Sequence, residues 1–97
     1  MKKMIDRYKM KSAGYDVLKR KYKEHIIDER TWYELHDGSM VSLFTLGDET
    51  RCVGIQIAES SEELFASEDT DLFFEDEYKD IEEFVKDFEK YTEKYFD

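Results

Sequence analysis

Ile81, Phe84, Val85, Phe88, Tyr91 and Tyr95 recur at offsets of 3, 4, 7, 10 and 14 residues, which sets them along one face of an α-helix. A stripe this rich in aromatic rings must be buried, so the rest of the chain has to supply a surface to receive it. Lys79, Lys86, Lys90 and Lys94 fall near the opposite side. Glu75 with Lys79 and Glu82 with Lys86 are i,i+4 pairs in the favoured order, worth about 0.2–0.5 kcal/mol each. The helix is expected to begin near Asp76, and the acids after residue 78 read mostly as its solvated, internally paired back.

The receiving surface is expected between Thr31 and Ala58, where the apolar period changes from 3.6 to 2. Tyr33 and Leu35 alternate with Trp32, Glu34 and His36. Asp37-Gly38 reads as a two-residue hairpin turn, because both residues tolerate positive φ. Val41, Leu43 and Thr45 then alternate with Ser42, Phe44 and Leu46, and Gly47-Asp48 turns the chain again. Val53, Ile55 and Ile57 face one way, opposite Cys52, Gly54, Gln56 and Ala58. The pattern predicts a three-stranded antiparallel meander over residues 31–58, with one face free to take helices.

The flanks read as helical. Met1, Met4, Ile5 and Tyr8 share a face, with Lys2, Lys3, Arg7, Lys9 and Lys11 around it. Ser12-Ala13-Gly14 is expected to break or kink this helix, and a second piece follows with Leu18, Tyr22 and Ile26 four apart. Ser60-Ser61-Glu62-Glu63 is a capping-box pattern that starts a short helix through Leu64 and Phe65 to about Ser67, with residues 68–71 as a loop. The expected fold class is therefore α+β: N-terminal helices, a three-stranded antiparallel sheet, a short capped helix and a long C-terminal amphipathic helix. Its 97 residues suit one domain, made of a basic helical segment (1–27), the meander (31–58) and an acidic helical segment (59–97).

The formal net charge of −10 is unevenly placed. Residues 1–25 carry nine Lys or Arg against three acids, and residues 26–97 carry six against twenty-two. Such a balance repels free nucleic acid and anionic membrane and favours basic partners. The basic start has the composition of a segment that lies on a membrane or touches a nucleic-acid backbone, although such segments more often pack their apolar stripe and solvate their lysines. The single cysteine, Cys52, fits a reducing compartment. There is no apolar run of signal-peptide or membrane-span type, so the expected location is cytoplasmic.

Catalytic chemistry has little to build on. Asp69-x-Asp71 followed by Glu75 resembles the front of a calcium loop, but Phe73-Phe74 stands where the loop needs a further Asp or Asn and then Gly. His25, His36 and Cys52 lack the spacing of a zinc site. Cys52 lies in an expected strand and reads as a packed side chain. There is neither a nucleophile elbow nor a glycine-rich phosphate loop. His36-Asp37 reads as the shoulder of a hairpin. No enzyme, metal or cofactor is expected.

What remains is the acid run. Residues 59–78 hold nine carboxylates and neither Lys nor Arg. Clustered like charges cost stability, so a chain that keeps them with Phe73 and Phe74 among them is expected to use them. The candidate partner-binding residues are Glu62, Glu63, Glu68, Asp69, Asp71, Phe73, Phe74, Glu75, Asp76 and Glu77. Carboxylates on a short helix and loop stand roughly 4–8 Å apart, close to the advance of about 3.4 Å per nucleotide along a DNA strand. Such a run can occupy a cleft built for phosphates, with exposed aromatics as anchors.

In its acidic, proline-free composition, its meander with flanking helices, and its Glu62-Glu63, Glu68-Asp69 and Glu75-Asp76-Glu77 clusters, the chain resembles the phage-encoded anti-CRISPR proteins. It is similar in particular to those that occupy the DNA-reading site of Cas9-type nucleases as DNA mimics. The resemblance implies that these acids face the arginines that read the PAM, and that the protein acts in a bacterial host cell. The basic start departs from a wholly acidic mimic; its implied contact is RNA bound to the partner. The leading expectation is thus a non-enzymatic inhibitor of a basic nucleic-acid-binding protein, with reversal of Glu75, Asp76 and Glu77 to Lys abolishing inhibition and sparing the fold. The alternatives are an antitoxin- or immunity-type protein that neutralises a basic toxin or nuclease, and a homo-oligomeric scaffold domain.

Overall fold

A computed structural model describes residues 5–47, 51–59 and 71–96. Two helices lie on one face of a five-stranded antiparallel sheet whose strands are neighbours in chain order. The α+β class is as expected; the strand count and the helix limits differ.

The first helix, α1 (Arg7–Lys21), starts at Asp6, whose carboxylate accepts the Lys9 N–H at 2.8 Å. It runs unbroken through Ser12-Ala13-Gly14, where a break was expected. Gly14 is buried, and a Cβ there would stand 2.7 Å from Leu43 Cδ1. The glycine lets the helix backbone settle against the sheet, which offsets a helix-propensity cost of about 1 kcal/mol. Lys19, Arg20 and Lys21 complete the last turn, where cations complement the helix dipole.

The chain then enters a strand where a second helix was expected. β1 (Lys23–Ile27) pairs with β2 (Arg30–Glu34), with Ile27 opposite Arg30 and Lys23 opposite Glu34. Asp28 and Glu29 close this hairpin with φ of 51° and 66°, the positive values of a type I′ turn. Leu18 and Tyr22 are in the core as the four-residue spacing implied, but Ile26 is 70% exposed on the strand.

The expected meander is present as β2, β3 (Met40–Leu46) and β4 (Cys52–Ala58). Its first connection is wider than two residues. Leu35 N–H donates to Ser39 O at 2.8 Å, Gly38 N–H donates to Leu35 O at 3.0 Å, and Gly38 takes φ of +90°. Asp37 accepts both the N–H and the hydroxyl of Ser39, which holds its carboxyl below the usual carboxylate range. Tyr33, Val41, Leu43, Val53 and Ile55 face the helices and form one cluster with Met10, Val17 and Leu18 of α1. On the other face Trp32, Met40 and Ala58 make a smaller cluster, flanked by Ile27.

β5 (Leu72–Phe74) pairs with β4 and is followed by a single 3-10 turn, Glu75–Glu77. These elements displace the start of the last helix, α2 (Ile81–Tyr95), from the expected Asp76 to Asp80, whose side chain accepts the Glu83 N–H at 2.9 Å. Phe84 and Phe88 are fully buried as expected. Tyr95 is 59% exposed instead, and Thr92 and Phe96 fill the buried positions at that end. The expected short helix over residues 60–67 lies outside the described residues, as do Met1, Met4 and Asp48.

Candidate protein-binding surface

A strand places successive side chains on opposite faces, and this rule divides the acid run. Within β5 and the residue after it, Phe73 and Glu75 turn towards the helices while Leu72 and Phe74 turn away. Phe73 meets Phe84, Phe88 and Tyr91 edge-on, with ring centroids 5.7, 5.6 and 5.5 Å apart. It is a core residue and offers nothing to a partner.

Glu75 is also internal, being 7% exposed. Its Oε2 accepts the main-chain N–H of Arg7 at 2.7 Å and lies 3.4 Å from the guanidinium Nη1. It thereby satisfies one of the N–H groups that the first turn of α1 leaves without a helical partner. Reversal of Glu75 to Lys would set two cations together in the interior, so the expectation that the triple reversal spares the fold is corrected.

Phe74, Asp76 and Glu77 are exposed at the corner where β5 meets the 3-10 turn, while Asp71, also exposed, precedes the other end of the strand. Asp80, Glu82 and Glu83 at the start of α2 extend the same exposed acidic stretch, and Lys79 is the one cation between residues 71 and 83. Among the described residues no ion pair is formed by Glu77, Asp80, Glu82 or Glu83. Several of these carboxylates serve the backbone: Glu77 accepts the Phe74 N–H at 3.2 Å, and Glu83 accepts the Lys79 N–H at 3.2 Å. Acids at a helix N-terminus also complement its dipole. Asp71 accepts the Tyr91 hydroxyl at 2.5 Å. Glu62, Glu63, Glu68 and Asp69 lie outside the described residues.

Phe74 stands opposite Cys52, and Cys52 opposite Leu46, in one row across three strands. Leu46 is 40% exposed and Phe74 37%, while Cys52 between them is fully buried and its thiol is pushed up by that burial. The next row holds Phe44, Gly54 and Leu72, with the Phe44 ring lying over the bare Gly54 backbone. An apolar strip thus borders the carboxylates. Sequence reasoning missed Leu46 and Phe44 as neighbours of Phe74, because strand register alone brings them there.

The basic charge is gathered on α1, where Lys9, Lys19, Arg20 and Lys21 are exposed, and on Lys23 beyond it. A polar groove of about 240 Å³ between α1 and the β1–β2 hairpin is lined by Tyr15, Asp16, Lys19, Glu24 and Tyr33. Glu24 accepts the Tyr33 hydroxyl at 2.9 Å. No group of three or more potential metal ligands occurs among the described residues. None of the described helices is long and apolar enough to cross a membrane. No protein-family model matches the chain, and neither the curated proteins nor the solved structures give a match.

Proposed function

We propose that this protein is a non-enzymatic inhibitor whose acidic, DNA-mimicking surface occupies the nucleic-acid cleft of a basic partner protein. In its narrowest form it is an anti-CRISPR protein acting on a Cas nuclease in the cytoplasm of a bacterial host. One arrangement supports the reading. Asp76, Glu77, Asp80, Glu82 and Glu83 are exposed within one short run of chain, with the half-exposed Phe74 ring just before it and the Leu46 side chain in the same row of the sheet as Phe74.

A cleft lined by Lys and Arg attracts anions whatever carries them, and an aromatic anchor beside such a patch adds an apolar contact that DNA phosphates lack. The basic α1 is carried on a separate element, where it would meet partner-bound RNA instead of the cleft. Inhibition then proceeds by steric and electrostatic competition with DNA and needs no bond chemistry.

The test is DNA binding by a guide-loaded Cas9-type nuclease, with and without the protein, across a salt series. The expected result is displacement of DNA that weakens steeply with salt, since exposed charges are screened beyond about 8 Å at physiological ionic strength. The Asp76→Lys, Glu77→Lys, Glu82→Lys variant, which keeps Glu75, should fold and lose inhibition. Full inhibition by that variant would overturn the mimicry. A lack of inhibition across such nucleases would remove the anti-CRISPR form, and capture from nuclease-treated lysate at low and moderate salt would then identify the basic partner.

A further inference from the structure

Tyr8 is 61% exposed in the first turn of α1. The Arg7 guanidinium carbon lies 4.6 Å from its ring centroid, and Arg7 Nη2 donates to its hydroxyl at 3.0 Å. Arg7 is itself held by Glu75, so it braces the ring in place and leaves most of it open to solvent. Lys11, Tyr15 and Lys19 follow at offsets of 3, 7 and 11 residues, on the same side of the helix. The Lys11 ammonium lies 5.7 Å from the half-buried Tyr15 ring. Lys19 and Arg20 are exposed in the last turn of α1, and Lys23 is exposed just beyond it. Among the described residues, Lys11, Lys19, Arg20 and Lys23 form no ion pair. The polar groove between α1 and the β1–β2 hairpin opens beside this side, and Ser12, Asp16, Glu24 and Thr31 supply hydroxyls and carboxylates to it.

Rings that alternate with unpaired cations suit an unpaired nucleic-acid strand, whose phosphates follow the cations while its bases stack on the rings. An acidic protein segment would satisfy the cations and leave Tyr8 unused. We propose that this side of α1 binds single-stranded RNA, with a base stacked on Tyr8 and the phosphates led past Lys11, Lys19, Arg20 and Lys23. The groove favours RNA over DNA, because its carboxylates and hydroxyls can accept the 2′-hydroxyl proton that DNA lacks. This gives residues and a strand form to the RNA contact assigned to α1 under the proposed function, and it rests on that contact. The acids of the chain do not cancel it. Arg7 meets Glu75 and Lys21 meets Thr92, so α1 and α2 run side by side in one direction, and the carboxylates of residues 76–83 gather at the Arg7 end. Tyr8 at that end takes an uncharged base. Lys19, Arg20 and Lys23 stand at the other end of a 15-residue helix about 22 Å long, well beyond the screening length of about 8 Å at physiological ionic strength.

The test is fluorescence anisotropy of a labelled RNA oligonucleotide without self-complementarity, titrated with the whole chain at about 50 mM and about 150 mM salt. Binding is expected at about 1–100 μM, the range of non-specific nucleic-acid contacts, and it should weaken as salt rises. Tyr8→Ala should weaken it about tenfold, the worth of one base stacked on an aromatic ring, without changing the salt slope, and Tyr8→Phe should restore it. The Lys19→Glu, Arg20→Glu variant should keep its thermal transition and lose binding. The same strand as DNA should bind more weakly, and duplex RNA should not use Tyr8. No binding at either salt overturns the proposal, as does undiminished binding by either the Tyr8→Ala chain or the folded double variant. A polyglutamate peptide that binds as tightly as the RNA would overturn the stacking, and DNA that binds equally would overturn the choice of RNA. The assay holds no nuclease, so its failure leaves the acidic surface untouched, and a failure to displace DNA from a nuclease leaves this contact untouched.

Discussion

The Glu75 carboxylate accepts the Arg7 main-chain N–H at 2.7 Å and the Arg7 guanidinium at 3.4 Å, across 68 residues of chain. The acidic half of the sequence thereby closes the N-terminus of the basic helix. The contact combines a helix cap, a favourable anion–dipole interaction and an ion pair that is mostly out of solvent. Glu75→Ala is expected to destabilise the fold by about 1.5–3 kcal/mol, the range for a hydrogen bond to a charged group whose partner stays behind. Denaturant titration checks this. Glu93→Ala, at an exposed position of α2, should stay within about 0.5 kcal/mol of wild type.

Gly14 and Leu43 set the distance between α1 and the sheet. A methyl at residue 14 would stand 2.7 Å from Leu43 Cδ1, and Leu43 is only 1% exposed, with little room to move. The gain in helix propensity from Gly14→Ala, about 1 kcal/mol, is opposed by overpacking that costs typically 1–3 kcal/mol. The single variant should therefore be neutral to about 2 kcal/mol less stable. In a Leu43→Val background the same change should turn stabilising, because the removed carbon leaves space for the new methyl. A double-mutant cycle by thermal unfolding reads the coupling.

These two contacts also explain what the sequence could and could not reveal. The stripe Ile81–Tyr91 and the alternation through β2, β3 and β4 are local patterns of adequate length, and both elements are present. β5 is only three residues long and sits among carboxylates, so its period of two was hidden inside what read as a solvated run. Phe73 and Glu75 consequently looked like partners of Phe74 and Asp76, although a strand sends them to the opposite side. Gly14 reads locally as a helix breaker, and only its tertiary neighbour Leu43 gives it another meaning. At β1 the four-residue spacing of Leu18, Tyr22 and Ile26 imitated a helix, while the signal for the strand was a hairpin partner further along the chain.

Asp28 and Glu29 form a two-residue turn with φ of 51° and 66°. Aspartate visits this region with some ease, but glutamate has no short-range side-chain bond to support it. Glu29→Gly should relieve about 1 kcal/mol and raise the melting temperature by roughly 4–8 °C, the shift expected for a domain of this size. Calorimetry on dilute protein checks it.

Burial, with a carboxylate receiving each hydroxyl, raises the pKa values of Tyr33, Tyr78 and Tyr91 well above the ordinary phenol value of 10.0. The acceptors are Glu24, Asp87 and Asp71. A phenol whose folded pKa lies above its unfolded value stabilises the native state fully below the unfolded pKa. That contribution is lost as pH rises above about 10 towards the folded value, since the unfolded chain releases the proton first. Stability should therefore fall progressively above pH 10, with the three phenolate signals appearing together at unfolding in an ultraviolet titration. Tyr78→Phe keeps the ring beside Phe84, whose centroid is 5.4 Å away, and removes the proton. That variant should lose some stability at pH 7 with its hydrogen bond, and its stability should decline less steeply in alkali than that of the wild type.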